Sequence, residues 1–283
     1  MTPALLASAM MIASGSIHAI VNAIIKGRRS DASTTPSIMA GRAATDGVSA
    51  LLLLPATMLV PLPTGAWTWL AASAVVHVVY LYAMVRAYTA ADFSAVYPVL
   101  RGTAPMIVAI VMIGVIGEPA TLHQIIGIAL IGGAMVSLVI GRHLRRHALG
   151  WVVMTGAMTA TYTIADAHGV RAAPNVASYI VWDFVLIGSL SVALFAALGG
   201  RAISVSMRHQ WRPCTAAGAL SVVTYGLALG ALSLGPIAQL AALRETGMVA
   251  ALLIAIVALG ERVTWPRALA VAAILAGAVL IVG

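Results

Sequence analysis

Apolar residues occupy stretches of about twenty positions, separated by short polar breaks. The stretches fall near 3–25, 35–60, 66–88, 94–116, 122–140, 149–167, 176–198, 212–233, 236–258 and 265–282. Each is long enough to cross a bilayer as a helix, because the hydrocarbon core takes about 20 residues of helix. The breaks carry turn chemistry: PLPTG at 61–65, GEP at 117–119, GRHLRRH at 141–147 and LGP at 234–236. The stretches are continuous rather than alternating at every second residue, which excludes a transmembrane barrel. The pattern therefore predicts an all-α membrane protein with ten transmembrane helices and no room for a soluble domain.

The pattern also repeats. VLRGTAPMIVAI, starting at Val99, lies over ALRETGMVAALL, starting at Ala242, at an offset of 143. Without a gap the same offset sets Gly117, Glu118 and Thr121 on Gly260, Glu261 and Thr264, and Tyr82 on Tyr225. This predicts two five-helix units, residues 1–141 and 142–283. Five is odd, so the second unit enters the membrane from the opposite side and the two form an inverted repeat.

Composition agrees with the pattern: 61% of the 283 residues are apolar and 8% are charged, against roughly 25% charged in a soluble domain. Charge then adds orientation. Twelve Lys and Arg lie in the odd-numbered loops, while Arg171 alone serves the even loops and both ends. By the positive-inside rule the odd loops face the cytoplasm and both termini lie outside. The net charge of +8 is read as orientation and contact with lipid headgroups, with no nucleic-acid partner. The first stretch has no basic residue before it and Lys26, Arg28 and Arg29 after it, the reverse of a cleavable signal peptide. Cys214 is the single cysteine, which removes any disulfide framework or thiolate zinc site.

Several segments resemble a known family. Ten helices in two fives, Gly-Glu with Thr three residues on after the fourth helix of each half, and a fifth helix rich in small residues are similar to the EamA type of the drug/metabolite transporter superfamily. HAIVN with Lys26, VHVVYLYAMVRAY, VYPVLRGTAP, YTIADAHGVR and AALRETG resemble a subgroup that includes permeases associated with phosphonate utilisation. The resemblance covers the whole chain and implies a transporter of the bacterial inner membrane. The sequence departs from these relatives at Val21, where they carry Trp. Family members commonly keep their termini in the cytoplasm, opposite to what the loop charges predict.

Apart from Arg86, Arg212 and Arg267 near span ends, which are counted with the loops, seven charged residues remain inside the predicted spans: Arg42, Arg101, Arg244, Asp46, Asp166, Asp183 and Glu245. Ionisable residues at membrane depth cost at least about 2.5 kcal/mol each at a helix centre, so they face protein or water and are candidates for function. Arg42 and Asp46, four apart, can neutralise one another on one face. Arg101 and Arg244 are related by the repeat, and Pro98 and Pro105 flank Arg101 where freed carbonyls can line a cavity. A guanidinium offers a planar fork of donors to a carboxylate or phosphonate. The alternative is that each arginine is locked to Asp183, Glu245 or Asp46 and holds helices together. Glu245 lies about 100° round the helix from Arg244, so it is expected to pair with another helix. The expected substrate-binding set is Arg101, Arg244, Tyr97, Asn22, His18, Tyr82 and Trp182. Asp183, flanked by Trp182 and Phe184, is the expected proton-coupling residue together with Glu245, because an intramembrane carboxyl that titrates can carry a proton through a cycle. His18, Asn22 and Lys26 form one stripe and Tyr162 with Asp166 another; a polar residue on a membrane helix also serves as an interhelical hydrogen bond.

No Walker loop, HExxH or Gly-x-Ser-x-Gly occurs in the sequence, so neither an ATP-driven pump nor a hydrolase is expected. His143 and His147 have metal-ligand spacing, but Arg142, Arg145 and Arg146 beside them would repel a cation. No catalytic residue, metal or cofactor is expected. The reading is a secondary transporter of a small polar or anionic metabolite working by alternating access, with proton-coupled export as one form. A facilitated-diffusion or exchange permease for uptake is the alternative, and an intramembrane lipid-acting enzyme ranks below both. The expected partners are the substrate and membrane lipid, with the chain a monomer or homodimer.

Overall fold

In the computed structural model the described backbone covers residues 2–26, 35–91, 93–138, 146–259 and 264–283. The side chains of residues 22–26, 35–37, 93–95, 200–204, 206–210, 255 and 257–259 are not described. The loops at 27–34, 139–145 and 260–263, which hold Arg28, Arg29, Arg142, Arg145, Glu261 and Arg262, lie outside the described residues. Among the described residues the chain is helical throughout and has no strand.

The helices are α1 Pro3–Lys26, α2 Thr35–Leu53, α3 Trp67–Ala90, α4 Phe93–Ala109, α5 Leu122–Ser137, α6 Arg146–Ala172, α7 Val176–Leu234, α8 Ile237–Leu243, α9 Gly247–Leu259 and α10 Trp265–Val282. Among the described residues, eight segments are long and apolar enough to cross a membrane, including two arms of α7, Val176–Gly199 and Trp211–Leu234, and the combined segment Ile237–Ile254; α5 is a shorter apolar helix. These make a multi-pass membrane protein.

The helix limits have local causes. α2 was expected to reach residue 60 but stops at Leu53, and a 3-10 turn Leu54–Met58 follows, because Pro55 supplies no N–H to the α-ladder. α4 tolerates Pro98 and Pro105 and unwinds into a wide π turn at Ile110–Val115. Gly117 then reverses the chain at φ 82°, a backbone region that side chains other than glycine rarely enter. α6 runs beyond the expected end at 167 to Ala172. Arg171, in its last turn, donates to the carbonyls of Leu232 (2.9 Å) and Gly235 (2.6 Å), occupying carbonyls at the end of α7.

The backbone of α7 is helical without a break over 59 residues, where two separate spans were expected. It nevertheless folds back on itself. Gly188 and Gly218 both pack against the 45–50 stretch of α2, whereas a straight helix would hold positions thirty residues apart about 45 Å from one another. Tyr225 of the second arm also meets Phe184 of the first at 6.0 Å. The two arms thus behave as separate spans joined through residues 200–210.

Packing pairs the two ends of the chain. α2 packs on α7 and α5 on α10, while α1 packs on the second arm of α7 and on α9, and α6 packs on α3 and α4. Ser14 of α1 donates to the Thr224 carbonyl (2.6 Å), and Thr224 donates to the Ser14 carbonyl. Gly15 lies so close to the Arg244–Gly247 backbone that a Cβ there would overlap the Arg244 carbonyl. Gly156 of α6 meets Leu100 and Thr103 of α4 in the same way.

Candidate functional site

The buried charges gather where α4 and the α8–α9 break face one another. Arg101 Nε stands 2.9 Å from Glu245 Oε2, with the two side chains 13% and 6% exposed. Glu245 sits in a 3-10 turn, Arg244–Thr246, that interrupts the helix between α8 and α9. The turn is set by the close approach of Gly15 and Gly247, whose backbones touch. Arg244 turns the other way and lays its guanidinium over the Tyr225 ring at 5.3 Å, a cation–π contact. Its Nε has no hydrogen-bond partner among the described residues. Arg101 also lies 5.9 Å from the centre of the Tyr97 ring.

His18 of α1 is within Coulombic reach of Arg101, Arg244 and Arg42 together. Arg42 bonds Asp46 at 2.9 Å, and Ser191 of α7 donates to the same carboxylate oxygen at 2.7 Å. The Arg42 side chain keeps 31% of its exposure. Arg42 and Arg101 each have an ion-pair partner, whereas Arg244 makes no ion pair among the described residues and acts on Glu245 and Asp166 only through its field.

Aromatic side chains line the next layer. His77 of α3 stacks on Tyr162 of α6 at 3.9 Å, with Tyr80 at 5.4 Å and Tyr225 at 6.5 Å from the Tyr162 ring. Asp166, fully buried, accepts the Tyr179 hydroxyl at 2.8 Å and the Tyr225 hydroxyl.

Of the expected residues, Arg101, Arg244, Glu245, Tyr97 and His18 come together. Tyr82 stands apart, 5.8 Å from Trp151 and beside Arg86; Tyr80, two residues earlier, is the one that faces inward. Trp182 packs edge-on against Trp67 at 5.5 Å. Asp183 is 2% exposed and lies within Coulombic reach of Asp166. Asn22 is on α1, but its side chain is outside the described residues. Sequence reading did not single out His77, Tyr80, Tyr179 or Tyr225 as site residues. The spacings Ser73/His77 and Tyr179/Asp183, each four apart on one helix face, were the signal available.

A polar seam closes one end of the bundle. Glu118 Oε1 accepts the Ala238 N–H at 3.3 Å at the start of α8, and Gln239 donates to Gln124 at 3.0 Å. Burial pushes the Glu118 carboxyl above its ordinary value, against the opposite pull of Arg171 and the Ala238 and Ile237 N–H groups. A cleft of about 460 Å³ opens beside it, lined in part by His168, Arg171 and Ser233.

Membrane-length helices around an enclosed set of charges define the class as a multi-pass membrane protein with a polar interior. Residues 147–283 match the EamA-like transporter family. A solved crystal structure is similar over 98% of this chain and 95% of its own, with a TM-score of 0.74 and 16% identity; at that identity the likeness concerns the fold alone. No curated protein matches the sequence.

Proposed function

We propose that the whole chain is an EamA-type secondary transporter of the drug/metabolite superfamily, moving a small anionic metabolite across the inner membrane by alternating access. The observation that carries this reading is the meeting of Arg42, Arg101 and Arg244 around His18, with Arg244 Nε unpartnered. A half-buried guanidinium whose buried Nε lacks an acceptor is costly, and a bound carboxylate or phosphonate supplies one. Arg101, Tyr97, His18 and Arg42 form the remainder of the site in this reading.

Ten helices in two inverted units, 1–141 and 142–283, fit the packing. Exchanging the halves turns the contact of α1 with the second arm of α7 into that of α6 with α3, and α1 on α9 into α6 on α4. The α2–α7 and α5–α10 contacts map onto themselves. The start of α1 at Ala7 lies by Gly235, and the end of α10 at Ile281 lies by Gly127 near the start of α5. Both ends of the chain thus sit with the even loops, as ten spans require, and the loop charges assign that side to the outside. Labelling of a cysteine at Ser30 by an impermeant reagent applied from outside would overturn this orientation.

The test is ligand-induced thermal stabilisation of purified protein by small carboxylates and phosphonates. At least one anion is expected to raise the unfolding midpoint. Arg244→Lys keeps the charge and loses the planar fork, so binding is expected to weaken about tenfold or more. Equal stabilisation of wild type and R244K would show that the guanidinium does not contact the ligand.

A further inference from the structure

Asp166 and Asp183 take no part in either ion pair of the arginine centre. Asp166 of α6 is 0% exposed and Asp183 of α7 is 2% exposed. Tyr179 donates to Asp166 Oδ1 at 2.8 Å and Tyr225 to Oδ2, while the Ser73 hydroxyl of α3 faces the same carboxylate. Asp183 lies one helical turn beyond Tyr179 on the same face of α7 and within Coulombic reach of Asp166. No group among the described residues hydrogen-bonds Asp183 Oδ1. The flanking rings close the sides: Trp182 packs on Trp67 at 5.5 Å and Phe184 on Tyr225 at 6.0 Å.

The titratable and charged groups facing this pair are Tyr179 and Tyr225 of α7, Tyr162 of α6 with His77 of α3 stacked upon it, and Arg244 of the turn before α9. Arg244 is the cation in this set, and it rests on the Tyr225 ring rather than on a carboxylate. Two carboxylates out of water and within Coulombic reach of one another resist ionising together. One proton held between them removes that conflict.

We propose that Asp166 and Asp183 form a site sharing one proton, linked to the anion site by Tyr225, which touches Asp166 through its hydroxyl and Arg244 through its ring. The proton site stands on the geometry of the pair; the linkage rests on the transporter reading. An anion bound at Arg244 neutralises the cation whose field favours ionised Asp166, so anion and proton bind with positive coupling, each promoting the other.

The experiment is infrared spectroscopy of the full chain in nanodiscs, without added substrate, at neutral pH in H2O and D2O. A protonated-carboxyl C=O band that shifts in D2O is expected in the wild type. Asp183→Asn is expected to remove it, and Asp166→Asn to displace it. Tyr225→Phe keeps the ring beneath Arg244 and deletes the hydroxyl on Asp166; it too is expected to displace the band, and it tests the pair even if a carboxamide variant fails to fold. A wild type without such a band, a band untouched by D183N and Y225F, or a band that disappears on adding sodium chloride would each overturn the proposal. Because the spectrum requires no transport, a correct band pattern in a protein that carries nothing would leave the proton site standing while the transporter reading fell.

Discussion

Arg101 and Glu245 depend on one another more than on anything else near them. Their ion pair at 2.9 Å is largely desolvated, so removing one partner strands the other charge in a low dielectric. Glu245→Gln is expected to destabilise the protein by about 3 to 5 kcal/mol, seen as a lower unfolding midpoint. Arg101→Met with Glu245→Leu should recover most of that loss while abolishing anion-induced stabilisation. A normal midpoint in E245Q would mean that water already solvates the pair. The charged members of the centre were legible in the sequence because a charge inside an apolar run is conspicuous, and the 100° offset of Glu245 from Arg244 already pointed it at another helix. Tyr80, Tyr179 and Tyr225 were not legible. A tyrosine in a membrane helix fits a lipid-facing, packing or hydrogen-bonding position equally well, and only the fold shows that Tyr225 bridges Asp166 and Arg244 while Tyr82 turns to Trp151.

Among the elements, the broken segment from α8 to α9 depends on glycine contact rather than on proline. Gly15 and Gly247 touch backbone to backbone, and the 3-10 turn at Arg244–Thr246 occurs at that contact. Gly15→Ala is expected to push the Arg244 carbonyl aside, misplace its guanidinium and reduce anion-induced stabilisation. Gly133→Ala makes the control, because a Cβ on that glycine of α5 meets nothing within 4 Å; it should leave binding unchanged and gain about 0.5–1 kcal/mol. Equal binding by G15A and wild type would disconnect the turn from the site. Hydrophobic runs marked most helix bodies, but not the continuity of α7. The Gly199–Trp211 stretch reads as a loop from its two arginines, Arg201 and Arg208, with Arg212 just after it, yet it contains no proline, and its backbone stays helical through the reversal. Pro213, the proline inside α7, falls after the bend.

On the scale of the whole molecule, the arginine centre lies where α4 meets the α8–α9 break, with Glu118, Gln124, Arg171 and Gln239 closing one end of the bundle. A single-sided seam of this kind is expected of a carrier in one of two access states, with the opposite end closing in the other. In the proposed transporter, Asp183 with Asp166 is where a proton gradient is expected to act. The direct measurement is flux of the stabilising anion in proteoliposomes under an imposed pH gradient, comparing wild type with Asp183→Asn. Wild-type flux is expected to follow the gradient, while D183N still binds the anion and carries it down its own concentration difference without responding to pH. Wild-type flux that ignores the gradient, or a D183N protein that follows it as wild type does, would contradict proton coupling through this site.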